Sequence, residues 1–319
     1  PEVAREIWTA INSPAVQGIL DIQAGPANGG LLSEASDNQI NLYGNAVIDV
    51  AVAEMTVNVD VTANEMRDEV LSEGLQQNLQ ERQQNHGEFK DATLNHGLAS
   101  AGIFAANRNV MGMPGGLVLS TGRATDIGQL NSADNVSGFA SLEGDEELDN
   151  LYGLSSVANT TDTTSLEFEV YLKEGQDTLY VTYVYASEEY GDPKLDQPAD
   201  VLGIIVDGEN VANVPGGSTT VEPVRSDTIT GGYPFLGPWD SSSTDHYSPK
   251  NARYFINNDA DESNPSSTSD FAFDGYTTVI TTEISGLESN AYHTIRLAVA
   301  DVKTTDVDSA LFVLKDGVS

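Results

Sequence analysis

Cysteine is absent from all 319 residues, so no disulfide reinforces the fold and no thiolate can ligate zinc or iron. Basic residues are scarce: 14 Lys and Arg stand against 49 Asp and Glu, a formal charge of −35. That balance excludes nucleic acid, whose phosphates need clustered Lys and Arg, and it equally opposes adsorption to anionic lipid. No apolar run approaches the ~18 residues of a membrane span. The chain opens at Pro1 with no basic segment leading into an apolar one, as expected of a processed, secreted protein whose signal peptide has been removed. Histidine is sparse too. His86, His96, His246 and His293 are scattered and form no H-E-x-x-H, and His293, at the start of a strand pattern, reads as structural or surface.

What remains suffices for a core. The hydrophobic fraction is 39%, with 29 Gly and 12 Pro as punctuation, and the length suits one large all-β domain or two ordinary ones. The chain is organised around residues 179–206. Leu179 to Ala186 is rich in Val, Tyr and Thr, residues that suit a pleated, half-buried surface, and Val201 to Val206 is a second apolar run. Between them lie Glu188, Glu189, Asp192, Asp196 and Asp200. Like charges crowded into a folded loop repel, and a hard cation held by carboxylate oxygens relieves the repulsion.

In chain order, residues 1–46 read as a separate N-terminal extension, either a flap packed on the domain, the first reading of these residues alone, or a segment lent to a neighbouring molecule. A loose helical pattern (Val3, Ile7, Ile11, Val16, Ile19, Leu20) runs to Ala24, and GPANGG at 25–30 reads as a loop. The domain proper is expected over 47–319. Residues 47–61 alternate as a long strand with a bulge near Ala53 and Glu54, or as two strands meeting at a bend there. Thr62 and Glu65 form a capping-box pattern ahead of one amphipathic helix carrying Met66, Val70, Leu71, Leu75 and Leu79. Residues 92–126 alternate strands with glycine turns, and Ser120 reads as a strand end because it lacks the G-x-S-x-G elbow. Residues 127–165, with the acidic run EGDEELD, read as a long surface loop. TSLEFEVYL at 164–172 alternates cleanly and pairs through KEGQD with the strand at 179. Residues 212–274 read as irregular; strands follow at 279–284, 293–299 and 309–314. The sum is a mainly β protein, a jelly-roll-like β-sandwich with one amphipathic helix and long loops.

A second acidic cluster, Asp301, Asp306 and Asp308, lies between the last two strands. In an antiparallel sandwich the loops at one end converge, so these acids are expected to meet Glu188, Glu189, Asp192 and Asp200 and to hold Ca2+, which takes about six to eight oxygens. The pattern is not an EF-hand, since D-V-D-S lacks the central glycine and the closing glutamate.

The strings TSLEFEVYL, YVYASEEY, ADVLGIIV, FDGYTTVI, HTIRLAVADV and DVDSALFVL resemble, in order and spacing, the choice-of-anchor L domain of secreted prokaryotic proteins. ASAGIFAANRNVMGMPGGLVLSTG is similar to the family's N-terminal half, and the resemblance spans roughly 55–316. It implies an extracellular or cell-surface β-rich domain, named for the variable anchoring signals that follow it, with no known enzymatic activity. Here the sequence stops at Ser319 without a sorting signal and carries 1–46 in front. The expectation is therefore a released protein, or one held by its neighbours as a filament or matrix homopolymer through N-terminal exchange.

Two alternatives stand beside that reading. A surface adhesin would use Tyr233, Phe235 and Trp239 in YPFLGPWD as a stacking platform for a surface glycan, although such aromatics also anchor loops. A hydrolase would use Glu188 and Glu189, but neighbours on a strand face opposite sides, so at most one enters any cleft. Asn135 and Asn159 sit in N-x-[ST] sequons.

Overall fold

A computed structural model of the chain describes residues 22–26, 40–44, 55–86, 90–97, 99–128, 143–154, 159–190, 199–216, 222–230, 250–258, 272–303 and 307–319. The chain forms two compact units, 1–52 and 53–319. In the first, β1 (Ile22–Pro26) pairs antiparallel with β2 (Ile40–Gly44), Ile22 opposite Gly44 and Pro26 opposite Ile40. This corrects the helical reading that ran to Ala24 and the loop that began at Gly25. Over so short a span, the alternation of Ile22 with Ala24 and of Ile40 with Leu42 specifies strands. Val3, Ile7, Ile11, Val16, Ile19 and Leu20 lie outside the described residues.

The second unit opens with β3 (Met55–Asn58), α1 (Ala63–Val70), α2 (Glu73–His86), β4 (Thr93–Asn95), β5 (Ala101–Val110) and β6 (Met113–Ser120). Next come α3 (Glu146–Tyr152), β7 (Thr160–Leu172), β8 (Thr178–Ser187), β9 (Val201–Val206) and β10 (Glu209–Asn210). After a 3-10 turn at Ala252–Tyr254 the chain ends with β11 (Phe255–Asn257), β12 (Gly275–Thr277), β13 (Ile280–Ser285), β14 (Ala291–Val302) and β15 (Ser309–Val318). The strands form two antiparallel sheets, β10-β9-β14-β7-β4 and β11-β12-β8-β15-β6-β5-β3, with β13 also joined to β8. They pack as a sandwich, as the alternation in the sequence requires.

Inward rows from both sheets make the main core. Leu166, Phe168, Val170 and Leu172 of β7 meet Ile295, Leu297 and Val299 of β14 and, from the other sheet, Tyr183, Tyr185, Leu311 and Val313. Each such side chain contributes about 1.5–3 kcal/mol by leaving water. The central strands are buried on both faces, which is why VLGIIV reads as a continuous apolar run. On the outer face of β9 and β14, Leu148 of α3 packs with Val201, Ile205, Ala298 and Ala300. A methyl group on Gly203 would lie 2.8 Å from the Leu148 side chain, so glycine there lets the helix sit down on the strand.

Three further expectations are corrected. The single helix from Thr62 is two. The Thr62–Glu65 capping box is present, but at Leu71 the backbone turns extended, Leu71 bridges Val318, and the Ser72 amide donates to the Val318 carbonyl at 2.8 Å. Pairing with the last strand outweighs helical propensity at that point. The run EGDEELD is not loop: Asp145 caps α3, accepting from the Leu148 amide at 3.0 Å, and its acids occupy the first turn, where the helix dipole favours them. Finally, β7 starts at Thr160, and β14 and β15 run past their expected ends, because polar Thr, Asp and Lys continue the ladders after the apolar alternation stops.

Candidate functional site

Four strands bring their inward rows to the same rim, and one step beyond the last apolar side chain each row changes chemistry. β8 runs Tyr183, Tyr185 and then Ser187; β15, read backwards, runs Val313, Leu311 and then Ser309. Ile204 and Leu202 of β9 lead to Asp200, and Leu297 and Val299 of β14 lead to Asp301. Ser187 lies opposite Ser309 in one sheet, and Val201 opposite Ala300 in the other. The mouth of the inter-sheet space is therefore lined with oxygen rather than carbon.

Hydrogen bonds tie this rim across the sheets. Asp200 Oδ1 accepts from the Val302 amide at 3.0 Å, and its Oδ2 lies 2.7 Å from Ser309 Oγ on the opposite sheet. Ser309 Oγ also contacts Ser187 Oγ at 2.9 Å and the Tyr185 hydroxyl at 3.1 Å. Glu189 accepts from the Asp200 amide at 3.1 Å and from the Ser226 hydroxyl at 2.6 Å. The Glu188 amide donates to the Asp308 carbonyl at 3.0 Å, which places the two acidic loops side by side. The Asp308 carboxylate presses on the turn after β6: a methyl group on Gly122 would fall 1.8 Å from Asp308 Oδ2. Only glycine leaves room there.

Glu188, Glu189, Asp200, Asp301 and Asp308 are thus gathered and buried, none more than 4% exposed. Asp192 and Asp306, the aromatic trio Tyr233, Phe235 and Trp239, and Asn135 lie outside the described residues; Asn159 is exposed. The alternation argument for Glu188 and Glu189 is corrected, because both follow the end of β8 in a turn and both are buried. Sequence reasoning passed over Thr121, Gly122, Asp162, Ser187, Ser226 and Ser309. Their signal was positional: each of the two serines Ser187 and Ser309 sits one period-two step beyond an apolar row.

Burial dominates the electrostatics. It pushes Glu189 up to about 7, with nearby Asp227 adding to the shift while Ser226 and the Asp200 amide oppose it. Asp200 is raised well above the carboxylate range by burial and then by the charge of Glu189, against its bonds from Ser309 and Val302. Asp301 is raised likewise by burial and then by Asp200. The Thr121 hydroxyl opposes that shift without reaching hydrogen-bond geometry, so both Asp301 oxygens are sealed from solvent with no hydrogen-bond partner among the described residues. Glu189, Asp200 and Asp301 have no ion pair there either.

The donors are all oxygen, the chemistry of a hard cation rather than of zinc or copper. Among the described residues no three acidic or histidine side chains already stand at ligand spacing around one point, so a bound ion would draw them inward from their present hydrogen bonds. His293 is remote, near the other end of β14. Its Nδ1 lies 2.7 Å from Asp207 Oδ2 and its Nε2 lies 2.8 Å from the Glu288 carbonyl, so it fastens two turns together. A 270 Å³ cleft lined by Leu75, Leu172, Thr178 and Ser319 also lies at that far end and holds one acid, Asp177.

A family model of the choice-of-anchor L domain matches residues 55–318. No curated protein and no solved structure matches the chain. Among the described residues no helix is long and apolar enough to cross a membrane.

Proposed function

The chain belongs to the choice-of-anchor L domain family, and we propose that within this generally non-catalytic, surface-associated or secreted family it serves as an extracellular structural subunit clamped by calcium. The observation that carries the reading is Asp301, whose two carboxylate oxygens are buried without a hydrogen-bond partner among the described residues, beside Asp200 at the mouth between the sheets. An ionised carboxylate in such a place costs several kcal/mol unless a cation or a proton compensates it. Calcium drawing in Asp301, Asp200, Asp308, Glu188 and Glu189 would cross-link the two sheets at one rim. In a protein without cysteine it would do the work of a disulfide. Asp192 and Asp306, from the same two loops, would add oxygens.

The test is thermal unfolding in calcium and in chelator. Calcium should raise the midpoint by several degrees; coincident midpoints would reject the clamp.

The N-terminal unit adds the assembly half of the proposal. Residues 1–52 form a compact unit of their own, in which the described strands β1 and β2 make a two-stranded sheet, and two strands alone are at best marginally stable in water. A segment of that kind gains from packing on a second copy, and head-to-tail packing propagates as a filament. Negative-stain microscopy of the full chain should show filaments, and removal of 1–46 should leave folded monomers. Filaments that persist after the deletion would rule out N-terminal exchange.

A further inference from the structure

β7 and β14 pair in regular register from Leu172 opposite Ala291 as far as Thr164 opposite Val299. Pairing resumes with Thr161 opposite Asp301. Between these points two residues of β7, Asp162 and Thr163, face the single residue Ala300: a β-bulge at the acidic rim. Asp162, first in the bulge, has φ +46° and is 2% exposed. Glycine is the usual occupant of such a position, and an L-residue there costs about 1–2 kcal/mol. A buried aspartate in that conformation brings a charge and a strained backbone to one place.

The bulge also shifts the side-chain parity of β7. Thr161 becomes the direct cross-strand partner of Asp301, so the two side chains leave the sheet on the same face. Thr161 Oγ1, like both oxygens of Asp301, is buried with no hydrogen-bond partner among the described residues. The charge of Asp162 is felt at Asp301 as well. Three adjoining oxygens without partners, beside a further carboxylate, form an acceptor-rich recess. A hydroxyl and a carboxylate facing each other would ordinarily hydrogen-bond. A cation between them would satisfy all three oxygens.

We propose that the β7 bulge completes the cation site, with Thr161 Oγ1 and the Asp162 carboxylate joining Asp301 as oxygen ligands, and that the completed site takes Ca2+ in preference to Mg2+. Calcium accepts about six to eight oxygens in irregular geometry, which suits a set drawn from several strands and turns. Magnesium demands a near-octahedral shell and sheds water reluctantly, and a sealed recess provides neither. This inference rests on the calcium clamp proposed above and adds its second wall.

The decisive variant is Asp162→Gly, because glycine suits the left-handed backbone and so removes the carboxylate while relieving strain. Calorimetric titration of the full-length protein with CaCl2, alone and against MgCl2, measures the outcome. Asp162→Gly and Thr161→Val should each weaken calcium binding about tenfold or more. Far-ultraviolet circular dichroism of both variants in chelator should match the wild type, so that lost calcium binding is not lost folding. Wild-type calcium affinity in both variants would overturn the second wall and leave the clamp standing. Absence of calcium binding by the wild type would overturn both. Magnesium binding as tight as calcium would overturn the selectivity.

Discussion

The backbone amide of Asp200 donates to the carboxylate of Glu189, 3.1 Å from Oε2 and 3.3 Å from Oε1, while the Asp200 carboxylate itself reaches on to Val302 and Ser309. One residue thus links β9 to the loop after β8, to the end of β14 and, across the sandwich, to the start of β15. Neither acid makes an ion pair with a basic side chain among the described residues. The rim is held by hydrogen bonds and strained by charge, and each of the following expectations depends on that tension.

Asp301→Asn removes a buried ionisable group and keeps the shape. In chelator the variant should be more stable than the wild type to urea, by about 1–3 kcal/mol, because folding no longer has to take up a proton or bury a charge there. In calcium the order should reverse. Paired urea titrations with and without chelator measure both signs, and a variant destabilised equally in both conditions would assign Asp301 a purely structural part.

Acidity should stabilise the calcium-free protein. Folding raises Glu189 to about 7, whereas the unfolded chain has an ordinary glutamate near ~4.3. Between those values the folded state keeps a proton that the unfolded state has released. Stability is therefore highest below the ordinary value, declines as pH rises toward 7, and is level beyond it as far as this group is concerned. The decline is on the order of 3 kcal/mol. Asp200 and Asp301, shifted in the same direction, carry the fall further upward in pH. Glu189→Gln should flatten the Glu189 part of the profile measured by denaturant unfolding from pH 4 to pH 8, a range of about four units around these values.

Gly122→Ala should act on the rim without substituting a carboxylate. The added methyl group would occupy the position of Asp308 Oδ2. Asp308 must then move, and the calcium-dependent rise in melting temperature should shrink or vanish, with far-ultraviolet circular dichroism unchanged. An undiminished calcium response would separate Asp308 from the clamp.

Leu148→Ala tests the α3 cover on the opposite side of β9. Leu148 is fully buried against Val201, Ile205 and Ala298. Its truncation leaves a cavity and should cost about 2–4 kcal/mol in denaturant unfolding. The calcium increment should be preserved, because α3 lies on the outer face and the acids face inward. Loss of both together would mean that the helix also positions Asp200.

Much of the architecture was legible beforehand because it depends on period. Leu166, Phe168 and Val170 announce a one-sided strand, and Val201 to Val206 a strand covered on both faces. Thr62 with Glu65 announces a helix start. What escaped were elements whose cause is distant: Leu71 leaves the helix because Val318 lies beside it, and EGDEELD folds into α3 because β9 and β14 offer Leu148 a seat. Asp162 was invisible for the same reason. Its left-handed backbone belongs to a bulge that exists only once β7 has paired with β14.

By itself, the sequence determined that this is an acidic, cysteine-free β-sandwich with two acid-bearing loops, since alternation and composition are local properties. Only the tertiary structure decided that five of those acids share one sealed rim, and that Ser187, Ser309 and Thr161 stand among them. Whether two loops about a hundred residues apart meet depends on strand order and register, and no local pattern encodes either.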